Sequence, residues 1–208
     1  MKAYTKKVLG FFSSVINSMK KFISGHRKLE GVILMTPFLN EELLGSMRDS
    51  AVPIVLFDSR QDLSDAYRVR IDEYEAGALA GRHFAELGHR KCFCITGPWD
   101  HYVSQQRLKG FRDTLASYSI ELDERHVFKG DFELGSGQAA ARYIVENKLA
   151  VTAVWAQNDL MAIGAMGELQ RNGIRIPDGI SIIGMDNVAQ SASCNPRLTT
   201  IDLSLIHI

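Results

Sequence analysis

Five side chains stand after strand-like segments or beside the loops that follow them, and each can make contacts with a small molecule. Asp186 follows the run 180–185. A carboxylate held there accepts paired hydrogen bonds from vicinal hydroxyls or a ring nitrogen, or it caps a following helix. Arg107 opens a helical pattern beside the loop 97–104. Its planar fork suits bidentate binding of hydroxyl or carboxylate oxygens, or a plain ion pair with a helix acid. Asn158 offers both a donor and an acceptor, and the same amide can cap a helix that starts at Asp159. Phe132 follows Gly130-Asp131; its ring can stack on the C–H face of a ligand or simply fill core. Asp72 ends the short strand-like segment 68–71 and either faces a ligand or caps the helix that begins at Glu73. Trp99 and Tyr102 lie in the loop after Gly97-Pro98, where anchoring the loop is the simpler role.

Known reaction signatures are missing. No G-x-S-x-G elbow occurs, and Leu134-Gly135-Ser136-Gly137 has the wrong spacing for one. Neither a G-x-x-x-x-G-K-[ST] phosphate loop nor a G-x-G-x-x-G fingerprint is found, and the six histidines form no HExxH pair. His89 precedes Cys92 by three residues, but structural metal sites need two well-spaced ligand pairs, so no metal or other cofactor is expected. These observations favour a binding module over an enzyme, since binding needs only a few convergent polar groups and an apolar wall.

Composition narrows the partners. The 208 residues carry 24 basic and 24 acidic side chains, and a zero net charge gives no electrostatic footprint for gripping phosphates. Of three cysteines, Cys92 and Cys94 are two apart on an apolar run; on a strand they share a face and cannot easily bridge. An odd, unpatterned count points to a reducing cytoplasm. The first residues are basic and then apolar, faintly like a leader. However, the apolar positions between 8 and 23 recur at steps of three and four, as on one stripe of a surface helix. No run of about 18 apolar residues occurs that would span a membrane.

Those side chains must be held by regular elements. Apolar runs at 31–35, 52–57, 92–96, 150–156 and 180–185, with shorter pieces at 68–71 and 127–131, read as strands. Helical periodicity covers 41–50, 73–87, 104–118, 135–147 and 160–172. Apolar strands alternating with helices predict an α/β fold of parallel sheets covered on both faces. In such sheets ligands sit beyond the carboxyl ends of the strands, which singles out Thr36, Asp58, Asp72, the loop 97–104, Phe132, Asn158 and Asp186.

Seven segments, in order, resemble one family. Leu29-Glu30-Gly31-Val32-Ile33-Leu34 is similar to its VDGIIL strand, Val52-Pro53-Ile54-Val55-Leu56-Phe57-Asp58 to PVVLID, and Leu87-Gly88-His89-Arg90-Lys91 to LGHRR. Arg107-Leu108-Lys109-Gly110-Phe111 resembles RLxGF, and Asn158-Asp159-Leu160-Met161-Ala162-Ile163-Gly164-Ala165 resembles NDxMAIGA. The segment 176–186 resembles IPxDISVIGFD, and 196–201 resembles PPLTTI. Each motif alone is weak, but together they cover residues 29–201. On them the chain is identified as resembling the LacI/GalR bacterial transcription regulators, whose core is similar to periplasmic sugar-binding proteins.

The resemblance implies a two-lobed, hinged, periplasmic-binding-protein-like core with the first lobe incomplete: residues 1–90 as a partial first lobe, 91–201 as the second lobe, and 202–208 as a non-native tail. It implies a small effector, most simply a sugar, with Asp186, Arg107, Asn158, Phe132 and Asp72 as its contacts. Sugar and purine readers share the Asp and Arg positions, so the effector's identity stays open. It further implies a cytoplasmic setting, a homodimeric parent and operator DNA reached only through a headpiece absent from this stretch, with the effector changing DNA affinity by coupling between two sites. The alternative is an exported sugar-binding protein of the same fold.

Overall fold

The computed structural model describes residues 30–34, 53–57 and 67–203. The chain divides into two compact units, Met1–Ile71 and Asp72–Ile208. The described part of the first unit is a parallel sheet of β1 (Val32–Leu34), β2 (Ile54–Phe57) and β3 (Tyr67–Val69), in the order β1-β2-β3. The expected N-terminal surface helix, the helix at 41–50, Thr36, Asp58 and residues 204–208 of the expected tail lie outside the described residues.

The second unit is a five-stranded parallel sheet between two pairs of helices. In chain order it contains α1 (Glu73–Glu86), β4 (Cys92–Thr96), α2 (Tyr102–Ser117), β5 (Val127–Lys129), α3 (Leu134–Glu146), β6 (Ala153–Ala156), α4 (Asp159–Arg171), β7 (Ser181–Met185) and β8 (Thr199–Ile201). Short 3-10 turns at Glu124–His126 and Ala189–Ser193 punctuate it. The strand order is β5-β4-β6-β7-β8, with every neighbouring pair parallel. This α/β architecture agrees with the sequence reading, with one addition. Residues 199–201 form a fifth strand that apolar patterning alone did not mark, because Thr199 and Thr200 are polar and β8 gains its place by pairing with β7.

Period-two alternation explains how the sheet feeds two cores. On one face Cys92, Cys94, Trp155 and Ile183 meet Phe84 of α1 and Phe111 and Leu115 of α2. On the other, Phe93, Ile95, Val154 and Ile182 meet Ile144 of α3 and Met161 and Leu169 of α4. Cys92 and Cys94 thus share a face, as their spacing requires, and both are free, buried thiols. Burying each large apolar side chain is worth about 1.5–3 kcal/mol, so these two layers hold the strand ends in place.

Helix α1, grouped by the sequence reading with residues 1–90, packs on α2 in the second unit. The reason is local: a Cβ at Gly110 would lie 1.9 Å from the Tyr74 carbonyl oxygen, and one at Gly77 1.9 Å from that of Arg107. Glycine at both positions lets the two backbones touch. That contact brings Glu73, at the start of α1, against Arg107 in the second turn of α2.

Candidate functional site

Between β4 and β6 the connections diverge: the chain leaves β4 for β5 on one side and then returns to β6 on the other. Crevices at such switch points, beyond the carboxyl ends of the strands, are where α/β sheets bind ligands. Gln157 follows β6 and spans this point. Its side-chain oxygen accepts from the Gly97 amide at 3.0 Å, its amide donates to the Ser104 carbonyl at 3.0 Å, and its backbone oxygen accepts from Arg107 Nη1 at 2.7 Å. Gln157 is fully buried and ties the end of β6 to the end of β4 and to α2.

Arg107 is buried as well. Its Nε donates to Glu73 Oε2 at 2.5 Å, and only 7% and 3% of the two side chains are exposed. This is the ion pair with a helix acid that the sequence left open, although the pair is buried rather than superficial. It sits in the second turn of α2 because that helix begins at Tyr102 rather than at residue 104.

Phe132 holds a left-handed backbone, φ 70°. Its ring lies so close to Gly97 that a Cβ there would stand 2.0 Å from Phe132 Cζ, and the His101 ring lies 6.4 Å away, tilted by 43°. Asn158 does both jobs expected of its amide. Its oxygen accepts from the Met161 amide at 2.9 Å as the cap of α4, while its nitrogen donates to the Phe132 carbonyl at 2.7 Å. Asp72 caps α1, accepting from the Glu75 amide at 2.9 Å. Trp99 and Tyr102 are about two-fifths exposed; Lys129 Nζ lies 4.4 Å over the Trp99 ring, and Gln105 donates to the Trp99 carbonyl, both anchoring contacts. His89, by contrast, is far from this end: its ring stands edge-on to Phe84 and its Nδ1 meets Thr152 Oγ1 at 3.1 Å.

Asp186 closes β7. Its amide donates to the Ile201 carbonyl at 3.0 Å, its φ is 109°, and among the described residues its carboxylate has no hydrogen-bond donor. Burial pushes that carboxyl up to about 6; the Arg107 guanidinium opposes the shift, and the carboxylates of Asp159 and Glu73 reinforce it. Five non-glycine residues among those described have positive φ: Ser119, Phe132, Lys148, Asp186 and Asn187. Ser119 and Lys148 are the ordinary left-handed residues just past helix ends. The other three cluster at the carboxyl ends of the strands, and strain gathered in one place is a mark of a functional site.

The structure therefore brings Arg107, Asn158, Phe132 and Asp186 to one end of one sheet. Sequence reasoning passed over Gln157 and Asp159, and reached His101 only as part of the loop 97–104. The signal for the first two was present, because Gln157-Asn158-Asp159 is an unbroken polar triplet directly after the apolar strand β6.

Comparison with known proteins places this geometry in a family. A periplasmic binding protein-like domain model matches residues 82–205. The HTH-type transcriptional repressor PurR of Aliivibrio salmonicida is 34% identical over 176 residues, covering 84% of this chain and 53% of the relative. Among solved structures, the transcriptional regulator CelR in complex with cellobiose is similar, with a TM-score of 0.78 and 28% identity over 90% of this chain and 57% of that one. A sugar-binding LacI-family regulator of Escherichia coli, complexed with phosphate, gives 0.77 and 27% over 86% and 64%. The chain spans about half the length of the curated relatives it matches. These relatives are transcription regulators rather than enzymes, and among the described residues no helix is long and apolar enough to cross a membrane. With the match covering most of the second unit, the chain belongs to the LacI/GalR family of transcription regulators and carries part of its periplasmic-binding-protein-like effector-binding core.

Proposed function

We propose that the unit Asp72–Ile208 binds a small, neutral, hydroxyl-rich effector, a mono- or disaccharide, at the carboxyl ends of its strands. The observation that carries this reading is the Asp186 carboxylate: it is half-buried, ends a core strand and lacks a hydrogen-bond donor among the described residues, so a ligand with paired hydroxyls would satisfy it. Arg107 is held rigid by Glu73 and Gln157, so little freedom is lost when it helps to orient a ligand. Phe132 presents a ring for the ligand's C–H face, and Asn158 fixes that ring's backbone. Asp72 stands at the near end of α1, where its carboxylate both caps the helix and offers an acceptor to a bound ligand. The cellobiose-bound relative supports a sugar as the ligand class.

In the whole protein, effector binding controls operator DNA binding through a headpiece on a homodimer in the cytoplasm, and the repressor relatives support that reading. Coupling of this kind requires that the effector favour one conformation over another. The test is isothermal titration with cellobiose, a panel of monosaccharides, and guanine and hypoxanthine. Binding of a sugar that Asp186→Asn abolishes supports the proposal. Binding of a purine base alone would replace the sugar with a planar heterocycle, and turnover of any panel compound would overturn the binding-module reading.

A further inference from the structure

Asp159 is the first residue of α4 and is fully buried. A carboxylate in the first turn of a helix ordinarily serves the helix dipole, yet this one reaches across to the turn that follows β7. Its Oδ2 accepts from the Val188 amide at 2.9 Å and from Ser191 Oγ at 2.5 Å, and its Oδ1 accepts from Thr200 Oγ1 at 2.7 Å. The Thr200 hydroxyl in turn accepts from the Asn187 amide at 3.2 Å. Glycine at position 184 makes room for it, since a Cβ there would lie 2.1 Å from Asp159 Oδ1. One carboxylate thereby holds both sides of the turn and the start of β8. Three donors offset the cost of burying its charge.

The turn it holds is the one in which Asp186 and Asn187 adopt left-handed backbone, a conformation that persists only where surrounding contacts over-determine it. We propose that Asp159 is the positioning residue for Asp186: by locking the turn 186–191 from beneath, it aims the Asp186 carboxylate at the effector. The aim toward an effector rests on the function proposed above; the locking of the turn does not. Asp186 is faced by Glu73 from α1, Arg107 from α2 and Asp159 from α4, so the charge on Asp159 also opposes ionisation of Asp186.

The experiment uses Asp159→Asn in the full 208-residue chain, without effector, and reads two quantities by NMR. Amide exchange at Asn187 and Val188 should accelerate on the order of tenfold relative to the amides of β4, since local opening sets exchange. The Asp186 carboxyl, followed by its 13C shift, should titrate at lower pH once the neighbouring charge is gone. A folded variant with unchanged turn exchange and an unmoved Asp186 titration overturns the proposal, because a residue serving only helix stability would leave both alone. If Asp159→Asn does not fold, Thr200→Val keeps the carboxylate and removes the shared hydroxyl. Faster exchange at Val188, whose amide donates to Asp159 and not to Thr200, then supports the proposal, and unchanged exchange there overturns it. Cellobiose titration follows as a separate arm: if the turn responds as expected but the unmodified chain binds neither cellobiose nor a purine base, the effector reading fails and the positioning role stands.

Discussion

Asn158 donates to the carbonyl of Phe132 at 2.7 Å while its oxygen caps α4, so one amide joins the start of a core helix to a strained aromatic residue after β5. The two roles can be separated. Asn158→Asp keeps an acceptor for the cap but replaces the donor with a second oxygen facing the Phe132 carbonyl; Asn158→Ala removes both. The alanine variant should lose about 1–2 kcal/mol of stability from the cap alone. The aspartate variant should retain the cap yet weaken effector binding, because Phe132 loses its tether. Equal loss of stability in the two variants, measured by urea unfolding, would show that the tether and not the cap dominates.

Arg107 and Glu73 form a buried pair, and removing one partner leaves a buried charge. Arg107→Met should destabilise the chain by about 3–5 kcal/mol, and adding Glu73→Gln should recover part of that. An unfolding free energy for Arg107→Met, from denaturant titration, within about 1 kcal/mol of the parent's (about one surface ion pair) would mean that water reaches the pair.

The pH dependence follows from Asp186, whose carboxyl is pushed up to about 6 chiefly by burial. Its folded value lies above its unfolded one, so its contribution to stability is complete at pH below the unfolded value near 4 and is lost as pH rises through about 6. Relative to Asp186→Asn, the parent should therefore lose stability between about pH 4 and 7 and stay parallel above that range. Effector binding runs the other way. If the ionised carboxylate accepts the ligand's hydroxyls, affinity should hold above pH 7 and weaken as pH falls through about 6. Calorimetric titrations at a series of pH values check both the sign and the window.

Two glycines make an opposed pair of tests. Gly110→Ala places a methyl 1.9 Å from the Tyr74 carbonyl, and forcing α1 and α2 apart should cost about 1–3 kcal/mol or more. A Cβ at Gly167, in α4, would meet nothing within 4 Å, so Gly167→Ala should stabilise the chain by about 0.5–1 kcal/mol through helix propensity. Thermal melts of the two variants should move in opposite directions. A harmless Gly110→Ala would mean that the helices can separate and that the Glu73–Arg107 pair does not depend on their close approach.

The sequence by itself determined the layering of this protein. Apolar runs of strand length, alternating with helical stripes, force parallel strands covered on both faces, and that rule points to the strand ends before any coordinate is known. Phe132, Asn158 and Asp186 were legible for that reason, and Arg107 by its place beside the loop that follows β4. Tertiary structure alone decided which strand ends lie side by side, because periodicity records which face of an element is buried and not which element buries it. The order β5-β4-β6-β7-β8 sets Gln157 against Gly97, and the contact between Gly77 and Gly110 carries Glu73 to Arg107, drawing α1 into the second unit. The strand at 199–201 has too few apolar residues to announce itself and exists because β7 offers it an edge. A polar residue after a strand also looks the same in sequence whether it caps a helix, braces a turn or meets a ligand. Asn158 caps α4 and tethers Phe132, Asp159 braces the turn after β7, and the Asp186 carboxylate, among the described residues, is left without a donor; these roles were settled by where the donors of other elements came to lie.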